Sequence, residues 1–322
     1  MGKLSKIILI SGPTASGKSN FAIKVAKKID GEIINADSMQ VYKTLKILTA
    51  RPTKDGQKNI KHHMYGFVDL NKNFSTGQWL KTAIKKIKEI KKRKKIPILV
   101  GGTGLYFQSL IDGLVEIPEI PPKFRNQIRQ MQKKDGQKKF YKKLLKIDPE
   151  THNRFDPNDT QRAIRAFEIK SFTKISMYRW LSKTKPEFKK NEFLKLYINF
   201  KRDDLIKRIS SRVIKMIEEG AIKEVNFFNK LKIKKDLSVN RVIGIDELTQ
   251  YMNKKINLDQ AQELISIKTR QYAKRQATWA RSRMKSWKKI NPIKIDEYIK
   301  KLKKPLLKLD QLTQSRIDCP NG

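Results

Sequence analysis

Along the first hundred residues the apolar positions switch between two periods. The unbroken run Ile7-Ile8-Leu9-Ile10 fits a strand buried on both faces, and Phe21, Ala22, Val25, Ala26 and Ile29 then recur at helical spacing. A second strand pattern follows at Glu32-Ile33-Ile34-Asn35-Ala36. A helix is predicted from about Ser75 to Lys94, with Trp79, Ala83, Ile84, Ile87 and Ile90 on one face. Ile96-Pro97-Ile98-Leu99-Val100 reads as the third strand. Strands that alternate with helices must pair in parallel, which predicts a doubly wound α/β sheet. Thr49 to Asp69 shows no period, and within it His62 and His63 read as a solvated loop pair.

The pattern breaks at Ile117-Pro118-Glu119-Ile120-Pro121-Pro122. From there to about Asn191 the chain is helical and basic with no strand signal. Residues 117–191 are therefore expected to form a small helical domain inserted into a core made of 1–116 and 192–290. A strand returns at Phe193 to Phe200. Asp203 and Asp204 are predicted to cap a helix that runs to Glu219-Gly220, with Leu205, Ile209, Val213 and Met216 inward and Arg208 and Arg212 together on another face. Shorter helices are expected near Ile222–Phe228 and Ile245–Met252, and a long one from about Leu258 to Trp287. Residues 291–322 read as a tail, unanchored beyond Pro305.

The first strand empties into Gly12-Pro13-Thr14-Ala15-Ser16-Gly17-Lys18-Ser19, a full match to the phosphate-loop pattern G-x-x-x-x-G-K-[ST]. The two glycines let the loop curl so that successive backbone N–H groups and a helix N-terminus point into one concavity. Lys18 adds a point charge for outer phosphate oxygens, and the Ser19 hydroxyl suits a magnesium ion. Together these residues predict a P-loop NTPase-like sheet that binds a diphosphate or triphosphate. In open α/β sheets ligands sit outside the carboxyl ends of the strands, so Asp37 and Thr103, each just past a strand, belong to the same crevice. A carboxylate there serves as a general base, as a magnesium anchor through water, or as a cap on the following turn. The third strand ends in glycines instead of an acid, which disfavours a plain ATPase.

Charge extends the picture. The formal net charge of +42 draws polyanions and points to nucleic acid, although Lys, Asn and Ile are inflated throughout and part of the excess is solvated surface. Gln161, Arg162 and Arg165 share one helical face, and Arg270, Lys274, Arg275, Arg281 and Arg283 surround Tyr272, Trp279 and Trp287, a mixture that suits RNA. The apolar run before the phosphate loop is too short for a signal segment, and no stretch reaches about 18 apolar residues, so a cytoplasmic protein away from the membrane is expected. The lone Cys319 excludes an internal disulfide and a cysteine-based zinc module.

The ordered set formed by Ser11 to Ser19, Asp37-Ser38 through Tyr42, Thr49-Ala50-Arg51-Pro52, His63 through Asp69, Gly101-Gly102-Thr103 with Leu105-Tyr106, Asn158-Asp159 with Gln161-Arg162, and Thr269 through Trp279 resembles the tRNA dimethylallyltransferase family. The likeness runs from about residue 5 to 285. It implies transfer of a five-carbon prenyl group from dimethylallyl diphosphate to the exocyclic amine of the adenosine 3′ of the anticodon, with Mg2+, by a monomer. Carried onto this sequence, Asp37 resembles the base, with Thr103 and Arg212 beside it. Gly12, Pro13, Thr14, Ala15, Ser16, Gly17, Lys18 and Ser19 would hold the diphosphate with Arg208. The tRNA contacts implied are Asp37, Ser38, Met39, Gln40, Thr103, Arg125, Gln161, Arg162, Ala163, Ile164, Arg165, Arg241, Lys274 and Arg275, on the anticodon stem-loop. Arg51 stands where the family more usually carries lysine, and the zinc-finger extension of some eukaryotic members is absent. The competing readings on the same loop are a nucleotide or small-molecule kinase and a non-catalytic tRNA-binding protein.

Overall fold

The computed structural model describes residues 6–302 apart from 54 and 58. Its order is β1 (Ile7–Ser11), α1 (Lys18–Ile29), β2 (Gly31–Asn35), β3 (His62–His63), α2 (Thr76–Lys92), β4 (Ile96–Gly101), α3 (Gly104–Asp112), α4 (Pro122–Ile147), α5 (Thr160–Thr173), α6 (Met177–Ser182), β5 (Phe193–Ile198), α7 (Arg202–Glu218), α8 (Ala221–Lys230), α9 (Ile245–Met252), α10 (Leu258–Arg283), β6 (Lys288–Ile290) and α11 (Ile295–Lys301). The strands form one parallel sheet in the order β3-β2-β4-β1-β5-β6, the doubly wound α/β arrangement that the alternation predicts.

Register fixes what meets at the carboxyl edge. Ser11 of β1 lies opposite Gly101 of β4 and Tyr197 of β5, and Asn35 of β2 lies opposite Val100. The segments leaving β1, β2 and β4 therefore emerge side by side. A Cβ at Gly101 would run into the Ala36 carbonyl, so only glycine lets β2 and β4 approach this closely. One apolar cluster, with Ile8, Ile10, Phe21, Val25, Ile98 and Leu196, packs the sheet against α1, and a second, with Val41, Tyr42, Leu45, Val213, Phe228 and Ile265, packs the segment after β2 against α7, α8 and α10.

Several expectations are corrected. His62 and His63 are not a solvated pair: they form an edge strand on β2, and His63 Nε2 lies 2.6 Å from the buried Glu32 carboxylate. A two-residue strand offers no period to read. Residues 291–302, expected as the start of a tail, are part of the folded unit: α11 docks here, with Tyr298 6.1 Å from Phe21 and Leu302 buried. Positions beyond Pro305 lie outside the described residues. Asp203 and Asp204 occupy the first turn of α7, where carboxylates complement the helix dipole, and Lys201 holds the cap position. The long helix stops at Arg283, and Trp287 follows it as a buried residue against Phe107.

The chain divides into two compact units, one of residues up to Ser109 and from Phe188 onward, the other Leu110–Glu187. In the second unit α4 and α5 bury Phe140, Leu144, Ala163, Ala166 and Phe167 between them, and α4 kinks at Gly136, where φ is 72°. No strand occurs in it among the described residues.

Candidate active site

The phosphate loop takes its curl from Ala15 and Gly17, with φ of 61° and 82°. A glycine at the second position starts α1 without a Cβ penalty. Three long side chains hold the loop from outside. Arg212 Nη1 donates to Thr14 Oγ1 at 2.9 Å, and Arg208 Nε donates to the Ala15 carbonyl at 2.8 Å with its guanidinium 5.2 Å from the Phe200 ring. From α10, Gln276 Oε1 accepts from the Thr14 N–H at 2.8 Å. Lys18 Nζ donates to the Pro13 carbonyl at 3.2 Å. The Ser16 hydroxyl is buried without a partner among the described residues.

Two strands away, Asn35 organises the end of β2. Its Oδ1 accepts from the Asp37 N–H at 2.9 Å, and its Nδ2 donates to the Asp37 and Met64 carbonyls at 3.0 and 3.1 Å. Asp37 Oδ1 accepts from the Met39 N–H at 2.9 Å, so the acid does cap its own turn. Its second oxygen accepts nothing from the described residues, which leaves it for a ligand. Thr103 N donates to the Ala36 carbonyl at 3.2 Å, and Thr103 Oγ1 accepts from Ser38 N at 3.0 Å. The strand-end hydroxyl is thereby tied to the strand-end acid.

Electrostatics joins the two halves. Burial pushes the Lys18 ammonium down to about 8; the Asp37 charge works against this and Arg212 works with it. Burial also lowers Arg212, opposed by Asp37, but a guanidinium stays charged at any physiological pH. Tyr65, Tyr106 and Tyr272 are all pushed up, first by burial and then by the Asp37 charge, so they remain neutral donors. The Asp37 charge therefore acts on Lys18, Arg212 and three phenols alike.

The remaining expected contacts fall into groups. Ser38, Met39 and Gln40 continue from Asp37, with Gln40 Nε2 donating to the Thr49 and Ala50 carbonyls at 2.9 and 3.2 Å and Met39 packed on the apolar cluster. Arg241 is exposed at the end of a short turn, and Lys274 and Arg275 are exposed on α10, Arg275 lying 5.8 Å from the Tyr272 ring. In the second unit Asp159 caps α5, and Gln161 and Arg162 are exposed there. Arg125 and Arg165 approach the buried Glu168 carboxylate at 3.4 and 3.2 Å. Ala163 and Ile164 are a correction: both are buried in that unit's core, because they sit on the helix face opposite Arg162 and Arg165, and their side chains present nothing to RNA.

Sequence reading gave no role to Asn35, Gln276 or Glu224, and placed Tyr272 only among the aromatics of the basic helix. Glu224 Oε1 and Oε2 accept from the Lys46, Ile47 and Leu48 N–H groups at 2.6 to 3.1 Å and pin the loop that follows Gln40. An amide that closes the strand after Ile33-Ile34 is the signal the sequence offers for Asn35, which is buried.

Fold and site define a phosphate-loop α/β protein in which an anion nest after β1 and the acid after β2, two places away in the sheet, belong to one carboxyl edge. The IPP transferase family model matches residues 40–283, and the chain belongs to that family. It is 74% identical to the tRNA dimethylallyltransferase of Pelagibacter ubique over 97% of this chain and all of that one. To the enzyme of the same name from Rickettsia massiliae it is 40% identical, over 94% of this chain and 84% of that one. Among solved structures it resembles the full-length tRNA isopentenylpyrophosphate transferase of Bacillus halodurans, with a TM-score of 0.69 at 30% identity over 96% of this chain and 99% of that one. A eukaryotic dimethylallyltransferase, described as acting on tRNA, aligns with a TM-score of 0.78 at 29% identity over 91% of this chain and 75% of that one.

Proposed function

We propose that the protein transfers the dimethylallyl group of dimethylallyl diphosphate to the exocyclic amine of the adenosine 3′ of the anticodon in tRNA. The observation that carries this reading is the register that brings the ends of β1, β2 and β4 side by side, so that the phosphate loop braced by Arg212 adjoins the turn that holds Asp37 and Thr103, without a nucleotide-hydrolysing acid on β4. The amine nitrogen attacks the first carbon of the prenyl chain, the carbon–oxygen bond breaks, and the electron pair leaves with the diphosphate. The amine's proton goes to the uncommitted oxygen of Asp37. Loop amides, Lys18 and Arg212 neutralise the departing charge, and the neutral phenols line a crevice in which those interactions are little screened. Since an aromatic amine is a weak nucleophile, the positioning of Asp37 by Asn35 matters as much as its charge. The adenosine must leave its stack to reach the acid.

A magnesium ion fits the donor set. Among the described residues no group of three His, Cys, Asp or Glu side chains is placed to hold a metal. The ion would then be held by the Ser19 hydroxyl, water and diphosphate oxygens, the mixture magnesium favours. When bound it supplies positive charge to the leaving group. We take the enzyme to act as a monomer, and no described helix is long and apolar enough to cross a membrane. We place the enzyme with its tRNA in the cytoplasm.

Mass spectrometry of tRNA incubated with the protein, magnesium and dimethylallyl diphosphate tests the reading. One five-carbon unit is expected on that adenosine, without ATP. Unmodified tRNA, or a product that appears only with ATP, would overturn it.

A further inference from the structure

Among the described residues, Gln276 is the one side chain that bonds both to the phosphate loop and to the turn leading into Thr103. Its Oε1 accepts from the Thr14 N–H at 2.8 Å while its Nε2 donates to the Gly102 carbonyl at 3.0 Å. The fit leaves no slack, because a Cβ on Gly102 would collide with that same Nε2. One turn back along α10, burial and then the Asp37 charge push the Tyr272 phenol up, and the Gln276 side chain works against them. Gln276 thus ties the turn before Thr103 to Thr14, whose hydroxyl is held by Arg212. The neighbouring Lys274 and Arg275 are exposed on α10, next to the buried contact.

These contacts have a consequence for binding order. The Thr14 N–H is already taken, so Gln276 does not compete for the later loop amides and instead fixes the arm from which they curl. Whatever orders α10 orders that arm. We propose that Gln276 is a positioning residue that couples the two substrates: RNA docked along α10 immobilises Gln276, and the braced loop then holds a diphosphate more tightly. The proposal rests on the assignment of the Asp37 side to RNA and of the loop to the donor. By linkage the diphosphate must tighten RNA binding by the same factor.

The test is calorimetric titration of inorganic pyrophosphate with magnesium into the full chain, with and without a synthetic anticodon stem-loop. In the wild type the RNA should lower the pyrophosphate Kd by about fivefold or more, as an ordinary coupling free energy would. In Gln276→Ala that ratio should fall to within about twofold of one, while RNA affinity without pyrophosphate changes by less than about twofold. Gln276→Glu keeps an acceptor for Thr14 but sets an oxygen against the Gly102 carbonyl, and should lose the ratio as well. It serves as the second variant should Gln276→Ala prove unstable on a melting curve. A ratio that persists in both variants, or is missing from the wild type, overturns the proposal. Prenyl transfer by the wild type is read separately: a wild type that transfers but shows no ratio loses only the coupling, and one that fails to transfer loses the proposed reaction.

Discussion

Arg212 on α7 donates a hydrogen bond to the hydroxyl of Thr14 across 198 residues of sequence, so a helix encoded late in the chain closes over the phosphate loop. The guanidinium has a neutral partner in the free protein, and the burial that lowers its pKa makes it a strong ligand for an arriving anion. Replacement by alanine removes a charge-assisted contact with about 1.5–3 kcal/mol at stake. We expect Arg212→Ala to raise the KM for dimethylallyl diphosphate by at least about tenfold, with Arg212→Lys recovering only part because an ammonium cannot span two oxygens. Steady-state kinetics at saturating tRNA measure this, and an unchanged KM would remove Arg212 from the donor site.

Asp37 has two separable tasks, since one oxygen caps its own turn at Met39 and the other is uncommitted. Asparagine retains an acceptor for the Met39 N–H but cannot take a proton at neutral pH. Asp37→Asn should therefore keep tRNA affinity within a few-fold and lose kcat by at least about a hundredfold, the scale of general-base catalysis. If Asp37→Asn turned over normally, the acid would be a structural cap alone.

Lys18 gives the site a pH signature. Burial holds its ammonium at about 8 in the free protein, opposed by Asp37 and helped by Arg212. A bound diphosphate stabilises the charged form and raises that value. Protons are then taken up on binding between pH 8 and roughly 10, and affinity falls as pH climbs through 8. Titrations of pyrophosphate in buffers with different heats of ionisation, comparing wild type with Lys18→Met, read the difference directly. Equal proton uptake in the two proteins would show that Lys18 does not titrate with binding.

The Glu32 carboxylate, buried beneath the β3 edge, governs acid stability. Burial alone would raise it, but Arg93 at 2.7 Å and His63 at 2.6 Å hold it down to about 2. Its folded value lies below the ordinary 4.5, so the stability it contributes is complete above that pH and is lost as pH falls toward 2. Chemical denaturation at pH 7 and pH 3 should show wild type losing more stability than Glu32→Gln. Parallel curves for the two proteins would remove this pair from the account.

Strongly periodic or motif-bearing parts of this chain were legible, and contacts between distant segments were not. The phosphate loop is read from eight adjacent residues, and Asp37 and Thr103 follow from the rule that strand ends carry the site. Nothing local marks Gln276 as the strut beneath Thr14, because 262 residues separate them and an i,i+4 pattern on α10 describes only its own faces. β6 is three residues long and α11 seven, below the length at which a period announces itself, and their burial depends on β5 and α1 being in place. Ala163 and Ile164 show the opposite error. The resemblance implied tRNA contacts along the whole segment Gln161 to Arg165, although adjacent residues on a helix point about 100° apart and only Gln161, Arg162 and Arg165 share the polar face.

The same geometry makes Glu168 a test of the second unit. Its side chain is almost wholly buried, yet one oxygen meets both Arg125 from α4 and Arg165 from α5. Two half-exposed guanidiniums held by one acid keep a net positive charge and a fixed spacing, which suits a backbone phosphate. Glu168→Gln leaves the shape intact and removes the charge that binds the pair, so the arginines repel and spread. We expect tRNA binding to weaken by about fivefold, with a shallower dependence on salt as phosphate contacts are lost, and kcat at saturating tRNA to stay within about twofold. Filter binding across a salt series measures both effects. An unchanged affinity and salt slope would mean that the buried acid serves only the packing of α4 on α5.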